Sequence, residues 1–258
     1  YDRAGQLTAT LRDGQRTEYV HDGLGRRVRR TEPDGSTTEY TWSPLGFLAG
    51  LVTRDATYAE TGRNDVWTDA LGELATVDDV EAWWDTAAAV PSLMSIGGKS
   101  VLDLPGGVTA VGTKWTTPGW RNARATDASD PWATLAGVSG AALPATVGLT
   151  ATGGINIGGL EWLGARVYDP AARGFLSVDP LAPVLGSGWS GNPYSYAGND
   201  PLHAVDPLGL RPATDADLQA YRDAHQGVFD GGWWKDNWEY VVGGAAIVGG
   251  GILMFTGV

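Results

Sequence analysis

Tyr1-Asp2-Arg3-Ala4-Gly5-Gln6-Leu7 is echoed by His21-Asp22-Gly23-Leu24-Gly25-Arg26-Arg27, and more faintly by Trp42-Ser43-Pro44-Leu45-Gly46-Phe47-Leu48. The marker glycines Gly5, Gly25 and Gly46 stand 20 and 21 residues apart. Between them fall Asp13-Gly14 and Asp34-Gly35, themselves 21 apart. Asp-Gly pairs favour the left-handed backbone of tight hairpin turns. The flanks alternate as half-buried strands do, for example in Thr37-Thr38-Glu39-Tyr40-Thr41-Trp42. A repeat of this length with a turn signal in each copy is read as an array of β-hairpins. Trp67-Thr68-Asp69-Ala70-Leu71-Gly72-Glu73-Leu74 is a degenerate further copy.

The composition points the same way. The 258 residues include 38 Gly, 14 Pro and 12 Trp, with only 19% charged. Glycine and proline punctuate turns and are poor in helix interiors, so the expected class is mainly β. The length suits one large all-β domain or two ordinary ones, and allows a sizeable core. A net charge of −12 supplies nothing to neutralise phosphates, so no nucleic-acid partner is expected. The absence of cysteine excludes disulfides, thiol chemistry and Cys-type zinc sites without fixing the compartment. His21, His203 and His225 lack ligand spacing, so neither a metal nor a cofactor is expected. The chain opens in mid-pattern, which reads as part of something longer.

Four segments follow from the pattern. Residues 1–75 are the hairpin array. Residues 76–157 read as an irregular β-rich stretch with a helical insertion, in which Asp78-Asp79-Val80-Glu81-Ala82-Trp83-Trp84-Asp85 and Ala87-Ala88-Ala89 form a short helix or lid ended by Pro91. Trp115, Trp120 and Trp132 are read as wall packing, with a sugar platform as the alternative. Residues 158–210 change character again, and 211–258 form a tail.

The third segment contains Gly164-Ala165-Arg166-Val167-Tyr168-Asp169-Pro170, then Arg173-Gly174-Phe175-Leu176-Ser177-Val178-Asp179-Pro180, then Asn192-Pro193-Tyr194-Ser195-Tyr196-Ala197-Gly198-Asn199-Asp200-Pro201-Leu202, and finally Asp206-Pro207-Leu208-Gly209-Leu210. With the hairpin repeat, this run resembles the bacterial RHS/YD-repeat family and its RHS-associated core, as found in teneurin-like shells and polymorphic toxins. The resemblance implies YD-repeat hairpins forming part of a spiralling β-sheet shell, plugged by the core. It also implies an aspartyl-type autoprotease, with Asp179 and Asp206 as the catalytic pair and Leu210–Arg211 as the bond cut. The C-terminal effector segment would be the caged cargo of a secreted or cell-surface protein.

Elementary chemistry makes that implication coherent. Two carboxylates held together retain one proton near neutral pH. The ionised member activates a water and the protonated one donates to the peptide carbonyl. Pro207 and Gly209 suit a tight turn presenting Leu210. Taken singly, each Asp-Pro is a turn starter, and Asp169 and Asp200 are left in that role. The family's glycine-arginine-phenylalanine appears here as Arg173-Gly174-Phe175, which puts an orienting role for Arg173 in doubt. Arg166 is the substitute, or an ion pair between strands. The rival reading is a non-cleaving structural or adhesive YD-repeat protein at the cell surface.

The tail reads as a linker with a short helix capped at Thr214. It ends in Trp233-Trp234-Lys235-Asp236-Asn237-Trp238-Glu239-Tyr240 and an uncharged run over 241–258. That run is at the threshold of a membrane span, with interfacial aromatics at its start. Entry into a target-cell membrane and stowage against an inner wall both remain open.

Overall fold

Asp22 shows why the repeat has its spelling. Its Oδ1 accepts the amides of Leu24 and Arg26, each at 2.9 Å, and Gly25 N–H donates to its carbonyl at 3.0 Å. The loop closes only if the fourth residue turns left-handed, and Gly25 does so at φ 77°. Asp2 and Asp69 cap their loops in the same way. A further copy at Asp55 uses Tyr58 at φ 69° in the glycine's place. Asp13-Gly14 makes a two-residue turn with both residues left-handed, whereas Asp34-Gly35 sits inside a longer loop closed by Glu32 and Ser36.

The computed structural model describes residues 1–86, 91–104, 108–112, 114–116, 147–149, 154–181, 191–201, 204–206, 208–210 and 212–214. The architecture is mainly antiparallel β. A sequential meander of twelve strands comprises β1 (Ala9–Arg12), β2 (Gln15–His21), β3 (Arg27–Thr31), β4 (Thr37–Trp42), β5 (Leu48–Arg54), β6 (Glu60–Thr68), β7 (Leu74–Val77), β8 (Val80–Asp85), β9 (Ser92–Ile96), β10 (Lys99–Leu104), β11 (Val108–Val111) and β12 (Lys114–Thr116). A second sheet holds β13 (Val147–Leu149), β14 (Ile155–Ile157), β15 (Leu160–Leu163), β16 (Arg166–Asp169) and β17 (Gly174–Phe175). A small ladder pairs β18 (Ala204–Val205) with β19 (Ala213–Thr214).

The helix expected over Asp78–Asp85 is a strand. Asp78, at φ 51°, turns the chain from β7 into β8. Val80 and Ala82 are buried while Glu81 and Trp83 are exposed, the period of two that a strand requires. The strand is paired on both sides, to β7 and β9, and that tertiary pairing overrides the cap-like acidic start. Ala87, Ala88 and Ala89 lie outside the described residues, as do Trp120 and Trp132 and the tail helix and apolar run expected within 215–258. Among the described residues, no helix is long and apolar enough to cross a membrane.

The core lies between the two large sheets. Leu48, Leu51, Leu74, Leu93 and Ile96 from the meander meet Ile155, Ile157, Trp162, Val167 and Leu176. Every residue of β15 and β16 is buried. One face of this strand pair packs on the meander. The other carries Leu163 and Tyr168 against Phe175, Tyr196, Ala197 and Ala204. Arg166 is the register partner of Leu163 and belongs to this second face. Strands buried on both sides leave little freedom for a charged side chain, so its partners are fixed by the fold.

Repeats and core also meet at His21, whose ring lies edge-on to Tyr194 with centroids 5.9 Å apart. Burial pushes its imidazole down from 6.5 to about 4; Arg27 acts in the same direction, while Asp2 and Asp22 oppose. Between these two values the unfolded chain binds a proton that the folded chain refuses, so stability falls as pH drops through that window. Thermal melts of wild type and His21→Gln across it are expected to show the steeper acid loss in wild type. Parallel slopes would contradict this.

Candidate functional site

Arg166 is the hub on which the core's carboxylates converge. Its Nη2 lies 3.0 Å from Asp179 Oδ2 and 3.2 Å from Asp206 Oδ2. Nη1 donates to Pro193 O at 3.2 Å, Nε donates to Gly209 O, and the guanidinium carbon sits 3.7 Å from the centre of the Phe175 ring. A planar fork with several donors suits such a set of acceptors, and a lysine would not span them. The site is deeply set, with the side chains of Arg166 and Asp206 only 2% and 1% exposed. Asp179 is the wetter member at 26%.

Local backbone geometry places each group. Asp179 follows β17, its N–H donating to Pro193 O at 2.9 Å and its Oδ1 accepting from Leu181 at 2.9 Å. Asp206 follows β18 and closes a turn on itself: Gly209 N–H donates to its carbonyl at 3.2 Å, and Leu210 N–H donates to Oδ1 at 2.9 Å. Gly209 is left-handed at φ 61° and lies against the β15–β16 turn; a Cβ there would sit 2.7 Å from Leu163 O and 2.9 Å from Arg166 N. Ala165 N–H donates to Leu208 O at 3.0 Å. The segment after Leu210 returns as β19 and pairs with β18, Ala204 opposite Thr214 and Val205 opposite Ala213. Leu210 therefore stands in a loop whose two arms are held by a ladder.

The electrostatics are those of a crowded, poorly solvated cluster. Burial raises the Asp179 carboxyl, with Arg166 opposing. Burial lowers the Arg166 guanidinium, while Asp206 and Asp179 hold it up. Tyr196 is driven well above the usual phenol range by burial and then by Glu161 and Asp206, with a hydrogen bond to the Asp206 backbone working the other way. One cation thus faces two carboxylates, so the cluster is short of one positive charge when both are ionised.

Of the residues singled out from sequence, the structure gathers Asp179, Asp206, Arg166, Gly209 and Leu210. Pro207 and Arg211 lie outside the described residues. Arg173 is elsewhere: it takes the left-handed position (φ 57°) in the turn at the closed end of the β16–β17 hairpin, whereas Arg166 stands at the open end. Of the two arginines, Arg166 is the one that lies against Asp179 and Asp206. Sequence reasoning missed Phe175, Tyr196 and the Pro193 carbonyl. The clustering of aromatics in Tyr194-Ser195-Tyr196 was the one available signal. Among the described residues, no group of acidic and histidine side chains is arranged to hold a metal ion.

Residues 1–37, the first hairpins of the array, match the RHS Repeat family model. The tRNA(Glu)-specific nuclease WapA of Bacillus subtilis subsp. natto is 35% identical over 100 residues, 38% of this chain and 4% of the relative. Among solved structures, the TcdB2-TccC3-TEV crystal structure is 18% identical with a TM-score of 0.31, covering 81% of this chain and 10% of that one. A Photorhabdus luminescens Tc holotoxin pore with a mutated TccC3 is also 18% identical with a TM-score of 0.31, covering 83% and 10%. The chain spans a small fraction of the length of each.

Proposed function

We propose that this chain is the RHS-repeat shell and core module of a secreted or cell-surface toxin-type protein, and that it cuts itself after Leu210 to free a C-terminal effector. The observation that carries this reading is the convergence of Asp179 and Asp206 on one guanidinium nitrogen, with the other Asp206 oxygen on the amide of Leu210. Water adds to the Leu210 carbonyl carbon and gives a proton to the ionised carboxylate. The protonated carboxylate gives its proton to the carbonyl oxygen. Collapse breaks the Leu210–Arg211 bond: the amine nitrogen leaves with the proton taken from water, and the hydroxyl on the carbon returns its proton to the second carboxylate as the new Leu210 carboxyl group forms. Enzyme and substrate are one chain, so proximity supplies much of the rate and a single turnover suffices.

The cut C-terminal part is retained as cargo, with 241–258 as its membrane-engaging stretch on delivery. The WapA relative fits a toxin-type context. Timed samples from cell-free synthesis of the full-length protein, read by intact mass and N-terminal sequencing, test the reading. A new N-terminus at Arg211 is expected once the chain has folded. A second reading, a non-cleaving plug, is favoured by the number of donors already bound to Asp206, which is how a purely structural lock is also built. A folded chain that stays whole supports the plug and overturns the autoprotease.

A further inference from the structure

We propose that Arg27, from the second repeat hairpin, is a positioning residue for the Asp179/Asp206 site, and that the site closes only when the β2–β3 hairpin has docked on the core. The inference rests on the autoprotease reading above and extends it to a coupling between repeat assembly and cleavage.

Arg27 is 142 residues from Asp169 in the chain, yet Nη1 donates to Asp169 Oδ2 at 2.5 Å. Both side chains are sealed from solvent, and a second arginine, Arg30, approaches the same oxygen at 3.9 Å. The other Asp169 oxygen caps the β16–β17 turn, accepting the amides of Ala171 and Ala172 at 2.9 and 3.2 Å. At the far end of that hairpin, the Arg27 backbone N–H donates to Leu176 O at 2.8 Å, while Leu176 N–H donates back to Val167 O at 2.9 Å. Arg27 therefore grips both arms of the hairpin that carries Arg166 on one strand and leads to Asp179 on the other. The guanidinium is itself held over the Tyr19 ring at 4.4 Å, and the Arg27 backbone carbonyl accepts Trp42 Nε1 at 2.8 Å.

A second tie runs through the neighbouring loop. Tyr194 Oη donates to Gly25 O at 2.9 Å. The adjacent Pro193 carbonyl accepts both Asp179 N–H and Arg166 Nη1. A Cβ at Gly25 would stand 2.7 Å from Tyr194 Oη and 2.7 Å from Val178 Cγ2, so the repeat's glycine also leaves the room that the core's close approach requires. Gly25 of the repeat turn and Arg27 just beyond it thus touch the supports of both the arginine hub and Asp179. None of these groups reaches the reacting atoms; they fix where the reacting groups sit. Small displacements of that kind cost large factors in rate.

The experiment measures cleavage rates of the full-length protein during timed cell-free synthesis, as a function of pH, for wild type, Arg27→Met, Arg27→Lys and Tyr194→Phe. Resistance to added protease reports folding in each. Arg27→Met is expected to slow cleavage on the order of a hundredfold and Tyr194→Phe about three- to tenfold. Both are expected to move the pH profile, and Arg27→Lys, which keeps the charge and the backbone tie, should recover part of the rate. A merely structural role would scale the rate with the folded fraction and leave the profile in place, and that result overturns the proposal. Wild-type rates in folded Arg27→Met and Tyr194→Phe overturn it equally. If Arg27→Met does not fold, Tyr194→Phe decides, because it removes one hydroxyl. A wild type that folds and stays whole is a different failure, since it removes the autoprotease reading itself.

Discussion

Arg166→Met is expected to abolish cleavage after Leu210 and to destabilise the fold by about 3–5 kcal/mol at neutral pH. The methionine fills the space over Phe175 but leaves Asp206, 1% exposed, as a buried charge with its cation removed. The carbonyls of Gly209 and Pro193 also lose their guanidinium donors. An isolated buried carboxylate is relieved by protonation, so in the variant the penalty should shrink as pH falls. In wild type the same protonation removes the attraction to Arg166, which narrows the gap from the other side. Denaturant unfolding of both proteins at neutral and acid pH checks the sign. A deficit that grows in acid would show that Asp206 does not depend on Arg166. Arg166→Lys should fall between the two, keeping the charge and losing the fork.

Gly209→Ala is the second large effect. The residue is left-handed, and its new Cβ would meet two backbone atoms, Leu163 O and Arg166 N, neither of which can rotate away. Strain and overlap together should cost about 2–4 kcal/mol. The Asp206–Leu210 turn would be pushed off the arginine hub, and cleavage should fall with it. Gly159→Ala is the matched control: φ is +83° there, and nothing lies within 4 Å of the added carbon. It should carry only the backbone term, about 1–2 kcal/mol, and cleave as wild type does. Equal losses of cleavage in the two variants would dissociate the effect from the close approach at Gly209.

The parts of this molecule that were legible in the sequence are those whose cause is local. The hairpin array could be read because a loop capped by Asp, or by Ser43 in the third copy, needs a left-handed fourth residue, and Gly5, Gly25 and Gly46 advertise it. The Asp55 copy was silent because Tyr58 accepts the same conformation without being glycine. Asp78–Asp85 was misread because an acidic start ahead of Val80 and Ala82 suits a helix cap as well as a turn and strand, and only pairing with β7 and β9 decides between them.

The site was legible in a different sense. Asp179 and Asp206 carry no local mark beyond Asp-Pro, and the order of the surrounding blocks singled them out. Choosing between Arg166 and Arg173 needed the register of β16 with β17, which puts the two at opposite ends of one hairpin. The Arg27–Asp169 pair spans most of the chain and had no signal at all. Asp169 had looked like a turn residue. It is one, and its second oxygen is where the repeats are tied to the core.

The proposed cut after Leu210 depends on Asp179 and Asp206 acting together. Intact mass of the folded full-length protein, beside Asp179→Asn and Asp206→Asn, tests it most directly. Two fragments meeting at Leu210 and Arg211 in wild type, with a single uncut chain in each folded variant, is the predicted result. Cleavage at the same bond that persists in both variants would contradict it.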